Sequence, residues 1–322
     1  MRILVSGAGG FIGGHLVNRL LSEGHSVRAV DIKPVAEWWQ AHTGAANIPL
    51  DLRIKSSCES VCDGIDQIYN LAADMGGIGF IERNKSACMI SVLINTHLLM
   101  AARTARVERF FFASSACVYS ADRQTDADVT ALKEGDAYPA MPEDGYGWEK
   151  LFSERMCRHF MEDHGLECRV ARFHNVYGPH GTWEGGREKA PAALCRKAAE
   201  CLRDETDHVE IWGDGEQTRS FTWIDDCIEG TRRLMDSDVR TPLNLGSSRL
   251  VSINTLVDIV ESLAGIKLRR TYDLAAPKGV RGRNSDNTLI RELLGWEPRT
   301  PPETGMAKTW EWIKSQVLRT AA

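Results

Sequence analysis

Residues Arg2 to Gly13 read RILVSGAGGFIG. A helical pattern begins within this stretch, at Phe11, and continues to Glu23. The glycines at positions 7, 10 and 13 have the spacing GxxGxxG. Between a strand and a helix, this spacing permits a tight turn, a close approach of the backbone to a pyrophosphate and close packing of the helix on the strand. Free N–H groups at the helix start would face the phosphates. The stretch predicts a dinucleotide site formed by Gly7, Gly10, Phe11, Ile12 and Gly13.

Similar apolar runs recur along the first half of the chain. They predict strands at Arg2 to Ser6, Ser26 to Val30, Gln67 to Leu71, Arg109 to Ser114 and Cys168 to Phe173. Helical periodicity predicts long helices at about Ile81 to Arg106 and Gly147 to His164. Strands that are apolar on both faces and separated by helices form parallel sheets covered on both sides. The predicted fold class is therefore α/β, with a Rossmann-type doubly wound parallel sheet.

The second predicted strand is followed by an acidic residue suited to an adenosine ribose. Asp31 lies 24 residues beyond Gly7 (31 − 7). A carboxylate at this position accepts hydrogen bonds from the ribose hydroxyls and repels a 2′-phosphate, so NAD is favoured over NADP. Lys33 is close by and slightly weakens that preference. The predicted cofactor is NAD.

Composition excludes several classes of function. The chain has 322 residues, is 43% hydrophobic and 26% charged, and carries a net charge of −5. This balance gives no electrostatic reason to expect nucleic acid or a membrane surface as a partner. No stretch approaches the roughly 20 apolar residues of a membrane span, and the N-terminus does not resemble a signal peptide. We therefore expect a cytoplasmic protein.

The nine cysteines do not form a disulfide framework, because they are odd in number and scattered over a long chain. Cys58 and Cys62 have the spacing CxxxC without a matching second pair, so no metal site is predicted. Most of the nine are expected to be buried, reduced thiols.

A second motif suggests redox chemistry at a hydroxyl group. Tyr146 and Lys150 form YxxxK in a predicted helix, and a spacing of four places both side chains on one face. A neighbouring ammonium and a cationic nicotinamide would both stabilise the phenolate. Tyr146 would then take a proton from a sugar hydroxyl while NAD accepts the hydride.

These residues, together with Ser115, resemble the extended short-chain dehydrogenase family. The resemblance implies an NAD-binding domain at 1–176 plus 221–251 and a smaller nucleotide-sugar-binding α/β domain at 177–220 plus 252–322. Ser115 would orient the reacting hydroxyl. The resemblance also places a further set of residues beside the cofactor: Asp51, Leu52, Leu71, Ala72, Ala73, Tyr146 and Lys150.

Cys117 limits which of the family's reactions this chain is expected to catalyse. Dehydratases of the family carry an Asp-Glu pair where this chain has Ala116-Cys117, and that pair supplies the acid that expels water. A thiolate is instead a plausible base for a proton next to a ketone. Considered alone, Cys117 would more often be a buried structural cysteine.

Longer motifs point to one group within the family. They are NLAADMGGIGF at 70–80, HNVYGP at 174–179, GTWEGGREKAP at 181–191, WGDGEQTRSF at 212–221 and GVRGRNSDN at 279–287. Together they resemble the GDP-mannose 3,5-epimerases. The resemblance implies oxidation at C4, inversion at C5 and C3 with Cys117 and Lys189 as base and acid, and reduction at C4. The products would be GDP-L-galactose and, by C5 inversion alone, GDP-L-gulose.

The same resemblance implies a GDP-sugar site and a homodimer through the two long predicted helices. The implied substrate contacts are Gly76, Ser115, Cys117, Asn175, Glu188, Lys189, Lys197, Gln217, Arg219, Ser220 and Arg281, with Arg283 as a further candidate. Two alternatives stay open. One is a 4-epimerase of another GDP-sugar, which needs only Tyr146, Lys150 and NAD. The other is a catalytically idle NAD-binding regulatory protein.

Overall fold

The computed structural model describes residues 1–319, and these contain fourteen strands and eleven α-helices. The strands are β1 (Arg2–Ser6), β2 (Ser26–Asp31), β3 (Ala46–Pro49), β4 (Gln67–Asn70), β5 (Arg109–Ser115), β6 (Glu167–Phe173), β7 (Val176–Tyr177), β8 (His208–Trp212), β9 (Thr218–Ser220), β10 (Thr222–Trp223), β11 (Leu243–Leu245), β12 (Leu250–Ser252), β13 (Arg269–Asp273) and β14 (Gly282–Arg283). The helices are α1 (Phe11–Ser22), α2 (Lys55–Cys62), α3 (Ile78–Arg83), α4 (Lys85–Ile90), α5 (Val92–Ala105), α6 (Tyr146–His164), α7 (Ala190–Arg203), α8 (Ile224–Asp236), α9 (Ile253–Ala264), α10 (Thr288–Leu294) and α11 (Pro302–Arg319).

Seven strands form one parallel sheet in the order β11-β6-β5-β4-β1-β2-β3. The order reverses beside β1, because the chain proceeds from β1 to β2 and β3 on one side and to β4, β5 and β6 on the other. In such sheets the crevice at the carboxyl ends of the strands, at the point of reversal, is the usual ligand site. The prediction of a doubly wound α/β fold is confirmed.

The strands are apolar on both faces because both faces are covered. In β1, Ile3 and Val5 pack into one core cluster, whereas Leu4 packs into the cluster on the opposite face. In β5, Phe111 belongs to the first cluster and Phe110 to the second. Successive side chains of a strand point to opposite faces, so continuous apolar runs are what a doubly covered sheet requires.

Three smaller sheets lie in the second half of the chain. They pair β10 with β7, β13 with β8, and β9 with both β12 and β14. In the last of these, β14 runs parallel to β9 and matches Arg283 with Arg219. This pairing brings the sequence near residue 283 towards the end of the main sheet. The division into two domains remains a prediction.

The prediction of one long helix from Ile81 to Arg106 is wrong in one respect. The region is helical, but it is divided into α3, α4 and α5. Asn84 and Ser91 separate the three helices. The segment Lys85–Ala105 is nevertheless long and apolar enough, by length and composition, to cross a membrane, which the sequence analysis did not anticipate. Its inner side chains, including Leu98, Leu99 and Ala102, belong to the core on one face of the sheet.

Candidate active site

The glycine-rich turn after β1 has the shape that a dinucleotide needs. Gly7 has a φ of +73°, and a Cβ added to it would lie 2.9 Å from the backbone nitrogen of Ala72. A Cβ on Gly13 would lie 2.1 Å from the carbonyl oxygen of Gly7. No side chain caps the start of α1 at Gly10. The first-turn N–H groups, at Phe11, Ile12 and Gly13, are therefore available for a pyrophosphate.

The residues around Asp31 fit NAD. Asp31 ends β2, is nearly buried, and accepts a hydrogen bond from the backbone N–H of Lys33 at 3.0 Å. The Lys33 ammonium donates to the carbonyl oxygen of Gly9 at 2.6 Å, and this contact holds it at the glycine-rich turn. The Asp31 carboxylate is thus available to hydrogen-bond the ribose, and the Lys33 ammonium is held at the glycine-rich turn.

The other predicted cofactor contacts lie at neighbouring strand ends. Leu52 is buried, and Asp51 forms an ion pair with Arg53 at 2.7 Å. The backbone N–H groups of Leu71 and Ala72 lie 3.2 and 3.4 Å from the Ser6 hydroxyl oxygen. These contacts hold the end of β4 against the glycine-rich turn.

We expect Gly13→Ala to destabilise the protein by about 1–3 kcal/mol, the usual cost of overpacking, and to weaken NAD binding. The added Cβ would overlap the Gly7 carbonyl and distort the turn. Thermal unfolding with and without NAD measures both effects. Gly135→Ala is the matched control, because a Cβ there would meet no atom within 4 Å. Equal NAD-induced stabilisation of both variants would contradict the prediction.

A cluster of reactive side chains lies at the end of β5. Ser115 ends the strand, Cys117 follows in a short 3₁₀ turn, and Tyr146 begins α6. The Ser115 hydroxyl oxygen accepts a hydrogen bond from the Cys117 N–H at 3.2 Å. Ala73 packs against the apolar cluster that contains Cys117 and Tyr146. The cluster therefore adjoins the end of β4, where the cofactor contacts are predicted.

The backbone of Cys117 fits closely against the start of α6. Its carbonyl oxygen accepts a hydrogen bond from Glu143 N–H at 3.0 Å. A Cβ on Gly147 would lie 2.3 Å from that same oxygen. Gly147 therefore permits the approach that brings Tyr146 and Cys117 together.

Burial raises the pKa of the Tyr146 hydroxyl well above its ordinary value. Negative charge on Cys117 and Glu149 raises this pKa further, while the hydrogen bond with Ser115 lowers it. Lys150 is buried behind the tyrosine, with Nζ 5.5 Å from its ring centroid and 3.4 Å from Glu149. The protein's own groups thus favour a neutral phenol, in contrast to the sequence-based expectation of a stabilised phenolate.

The cluster opens into a cavity of about 420 Å³. Predicted site residues that line it are Gly76, Ser115, Cys117, Tyr146, Asn175, Glu188, Lys189, Lys197, Gln217, Arg219 and Arg283. Lys150, Ser220 and Arg281 do not line it. A cavity of this size with convergent polar groups is typical of a small-molecule site.

Lys189 is the residue immediately before α7, and it lines the cavity. Burial lowers the pKa of its ammonium, and negative charge on Cys117 or Cys227 acts in the opposite direction. A lysine with a lowered pKa gives up its proton more readily than a solvated lysine does. The structure brings this lysine and Cys117 to one cavity.

The cavity also presents Arg219, a cation that has no carboxylate partner among the residues that the structure describes. The Arg219 guanidinium donates to three backbone carbonyls, those of Thr218, Lys278 and Val280. Burial lowers its pKa to about 10. Because carbonyl groups leave the positive charge uncompensated, an anionic ligand such as a diphosphate would be favoured here.

The two neighbouring arginines of the GVRGRN motif have different places. Arg281 pairs with Asp214 at 2.7 Å, outside the cavity. Arg283 lies in β14 and lines the cavity next to Cys117. The resemblance implies a substrate contact for Arg281 and makes Arg283 a further candidate; in the structure Arg283 lines the cavity and Arg281 does not, and the substrate contact of either stays a prediction.

Two buried polar atoms near the cavity have no hydrogen-bond partner among residues 1–319, namely Gln217 Oε1 and Ser220 Oγ. Gln217 is fixed by a hydrogen bond from its amide nitrogen to the Trp212 carbonyl at 2.8 Å. The Asn175 amide donates to the Ser220 carbonyl at 3.1 Å. Buried polar atoms without partners are uncommon, so a polar ligand is a natural partner for Gln217.

Some cavity residues were not anticipated from the sequence, including Glu143, Arg196 and Trp212. Glu143 lies three positions before Tyr146, which was the only available signal. No group of three or more potential metal-ligating side chains occurs within the described part of the chain. Burial raises the pKa of both Cys58 and Cys62 to about 12, as expected of structural thiols.

Comparison with known proteins gives four consistent matches. Residues 3–246 match the NAD-dependent epimerase/dehydratase family. GDP-mannose 3,5-epimerase 1 of Oryza sativa subsp. japonica is 50% identical over 98% of this chain and 82% of its own, and GDP-mannose 3,5-epimerase of Arabidopsis thaliana is 48% identical over 100% and 84%. The solved structure of MoeE5 with UDP-glucose and NAD has a TM-score of 0.83 at 30% identity, covering 98% of this chain and 100% of that one.

Proposed function

Because this chain belongs to the NAD-dependent epimerase/dehydratase family, we propose that it is an NAD-dependent epimerase of GDP-mannose. It inverts C5 and C3 to give GDP-L-galactose, and C5 inversion alone gives GDP-L-gulose. The observation that carries the proposal is one cavity lined by Tyr146, Cys117 and Lys189. A simple 4-epimerase needs the tyrosine and the cofactor but has no use for two further proton-exchanging groups.

The protein's residues supply the proton transfers. NAD, when bound, accepts the hydride from C4 of the sugar, returns it at the end, and contributes a positive charge that favours the Tyr146 phenolate. Tyr146 takes the proton of the C4 hydroxyl, with Ser115 orienting that hydroxyl. A ketone at C4 makes the hydrogens on C5 and C3 acidic. Cys117 and Lys189 then remove and replace protons at these two carbons.

The diphosphate of the substrate would bind at the cationic side of the cavity. Arg219 is uncompensated there, and Lys197 donates to the Glu210 carbonyl at 2.6 Å. Gln217 Oε1 offers an acceptor for a sugar or nucleotide N–H or O–H group. The pattern suits a nucleotide sugar and gives no reason to expect a nucleic acid.

The deciding experiment is incubation of the purified enzyme with GDP-mannose and NAD in D₂O, followed by proton NMR of the sugar. Deuterium at C5 and C3, with GDP-L-galactose or GDP-L-gulose formed, is the expected result. Absence of exchange at both carbons would overturn the proposal and leave a 4-epimerase of another GDP-sugar as the leading alternative. Absence of any turnover on GDP-sugars would favour the idle NAD-binding protein.

We also propose that the protein forms a homodimer through α4, α5 and α6. Helices α5 and α6 pack against each other, and α4 packs against both. Met89, Ile90, Leu93, Met100, Trp148 and Phe152 are each between 40 and 52% exposed. An exposed apolar face of this kind is typical of an interface, and a second copy would cover it symmetrically.

We expect Phe152→Asp to raise the dimer dissociation constant by about 30-fold or more, because it places a charge in a desolvated apolar contact. Light scattering across a dilution series measures the change. Leu293→Asp is the matched control, since Leu293 is 45% exposed but lies on α10. A monomeric mass for the unaltered protein would contradict the dimer.

A further inference from the structure

Arg283 connects the candidate proton-exchanging thiol to two polar side chains. Its Nη1 donates to Cys117 Sγ at 3.7 Å, and its Nε donates to Gln124 Oε1 at 2.6 Å. Its Nη2 donates to the carboxylate of Glu143. The arginine side chain is 8% exposed and the glutamate side chain 16% exposed, so solvent screens this ion pair only weakly.

Glu143 is tied to Cys117 in two ways. Its backbone N–H donates to the Cys117 carbonyl at 3.0 Å, and its carboxylate holds the guanidinium that contacts the thiol. A substitution of the Glu143 side chain keeps the backbone hydrogen bond and changes the charge beside the guanidinium that contacts the sulfur. Glu154 and Glu149, the buried glutamates of α6, have other partners, namely Arg172 and Lys150.

The charges around the thiol are of both signs. The titratable and charged groups that contact the thiol or interact with it electrostatically are Arg283 from β14, Tyr146 from α6, Cys88 from α4, Arg219 from β9 and Lys189 from the start of α7, and Glu143 from the loop before α6 pairs with Arg283. A guanidinium beside a thiol favours the thiolate, and a carboxylate paired with that guanidinium reduces the effect. Among these groups, Glu143 is the one fixed anion.

We propose that Glu143 is a positioning residue for Cys117: it holds Arg283 against the thiol and, by cancelling part of the guanidinium's charge, limits the thiolate fraction. The catalytic importance of this arrangement rests on the proposed function, whereas the charge relation between the three side chains does not. Glu143 thus acts on proton transfer through Arg283 and has no need to touch the substrate.

The test is alkylation of Cys117 by iodoacetamide in the NAD-loaded enzyme without substrate, followed by mass spectrometry of the peptide that contains Cys117. Glu143→Gln should accelerate alkylation at neutral pH by about three- to tenfold, because the amide keeps a hydrogen-bond acceptor for Arg283 but removes the negative charge. Arg283→Gln should slow alkylation by a similar factor. The pH profile should move to lower pH in the first variant and to higher pH in the second.

Two further variants separate charge from structure. Glu143→Asp keeps the charge and should alkylate at nearly the rate of the unaltered enzyme. Glu311→Gln, which removes an exposed carboxylate from α11, should have no effect. Equal alkylation rates for Glu143→Gln and the unaltered enzyme, or a change of the same sign in Glu143→Gln and Arg283→Gln, would overturn the proposal.

The alkylation assay needs no sugar substrate, so its outcome is independent of whether GDP-mannose is epimerised. Deuterium exchange from GDP-mannose reports on the proposed function, and alkylation reports on Glu143. If exchange fails while the alkylation pattern holds, the reaction is misassigned and the role of Glu143 stands.

Discussion

Cys117→Ala is expected to slow deuterium incorporation at C5 and C3 of GDP-mannose by about 10²- to 10⁴-fold, the range that a positioned acid or base contributes. The Cys117 thiol lines the cavity, contacts Arg283 and belongs to the same apolar cluster as Tyr146, whereas alanine can neither accept nor donate a proton. Oxidation at C4 does not use the thiol and should survive. Proton NMR in D₂O measures exchange, and absorbance of reduced nicotinamide measures oxidation.

Cys201→Ala is the matched control, because Cys201 is also a buried thiol but lies on α7 with its sulfur donating to the His208 carbonyl. It should leave exchange unchanged. Unaltered turnover in Cys117→Ala would remove the thiol from the mechanism, and a 4-epimerase would then explain the site better.

Tyr146→Phe should lower the overall turnover by a similar factor of about 10²–10⁴, but at an earlier step. The change removes one hydroxyl and keeps the ring that packs with Ile81, Cys88 and Cys117. Without the tyrosine hydroxyl, the proton of the sugar's C4 hydroxyl group has no acceptor. Formation of reduced nicotinamide and of deuterated sugar should therefore both be lost. Stopped-flow absorbance and NMR distinguish this variant from Cys117→Ala, in which only the exchange is lost.

Tyr138→Phe provides the control for Tyr146→Phe, because Tyr138 is 46% exposed and lies outside the cavity lining. Its turnover should be that of the unaltered enzyme. Formation of reduced nicotinamide by Tyr146→Phe at the normal rate would show that another group accepts the proton, and the buried phenol would then have a structural role.

The central strands and the glycine-rich turn could be predicted because local sequence determines them. β1 is apolar on both faces and is followed by glycines at positions that exclude a Cβ. β3 escaped prediction because it is a four-residue edge strand, ANIP, that pairs only with β2. The break between α4 and α5 was also missed, because apolar periodicity continues across Ser91 and the turn there depends on tertiary contacts.

The candidate site was predictable where its residues belong to contiguous motifs. Tyr146, Lys150 and Cys117 were identified in this way, and they stay predictions until the variants are measured. The different positions of Arg281 and Arg283 relative to the cavity were not predictable, since they depend on the pairing of β14 with β9. Glu143 and Arg283 are 140 residues apart in the sequence, and no local sequence pattern predicts an ion pair between residues so far apart.

The position of β14 also bears on how enzymes of this kind diverge. The match to the general epimerase/dehydratase family ends at residue 246, and it already contains the glycine-rich turn, Tyr146, Cys117 and Lys189. Arg283, which contacts the thiol, comes from the remainder of the chain. Substitutions in that remainder can therefore alter the reactivity of the sulfur while the redox apparatus stays intact, so a new specificity can arise from the C-terminal segment without rebuilding the catalytic centre.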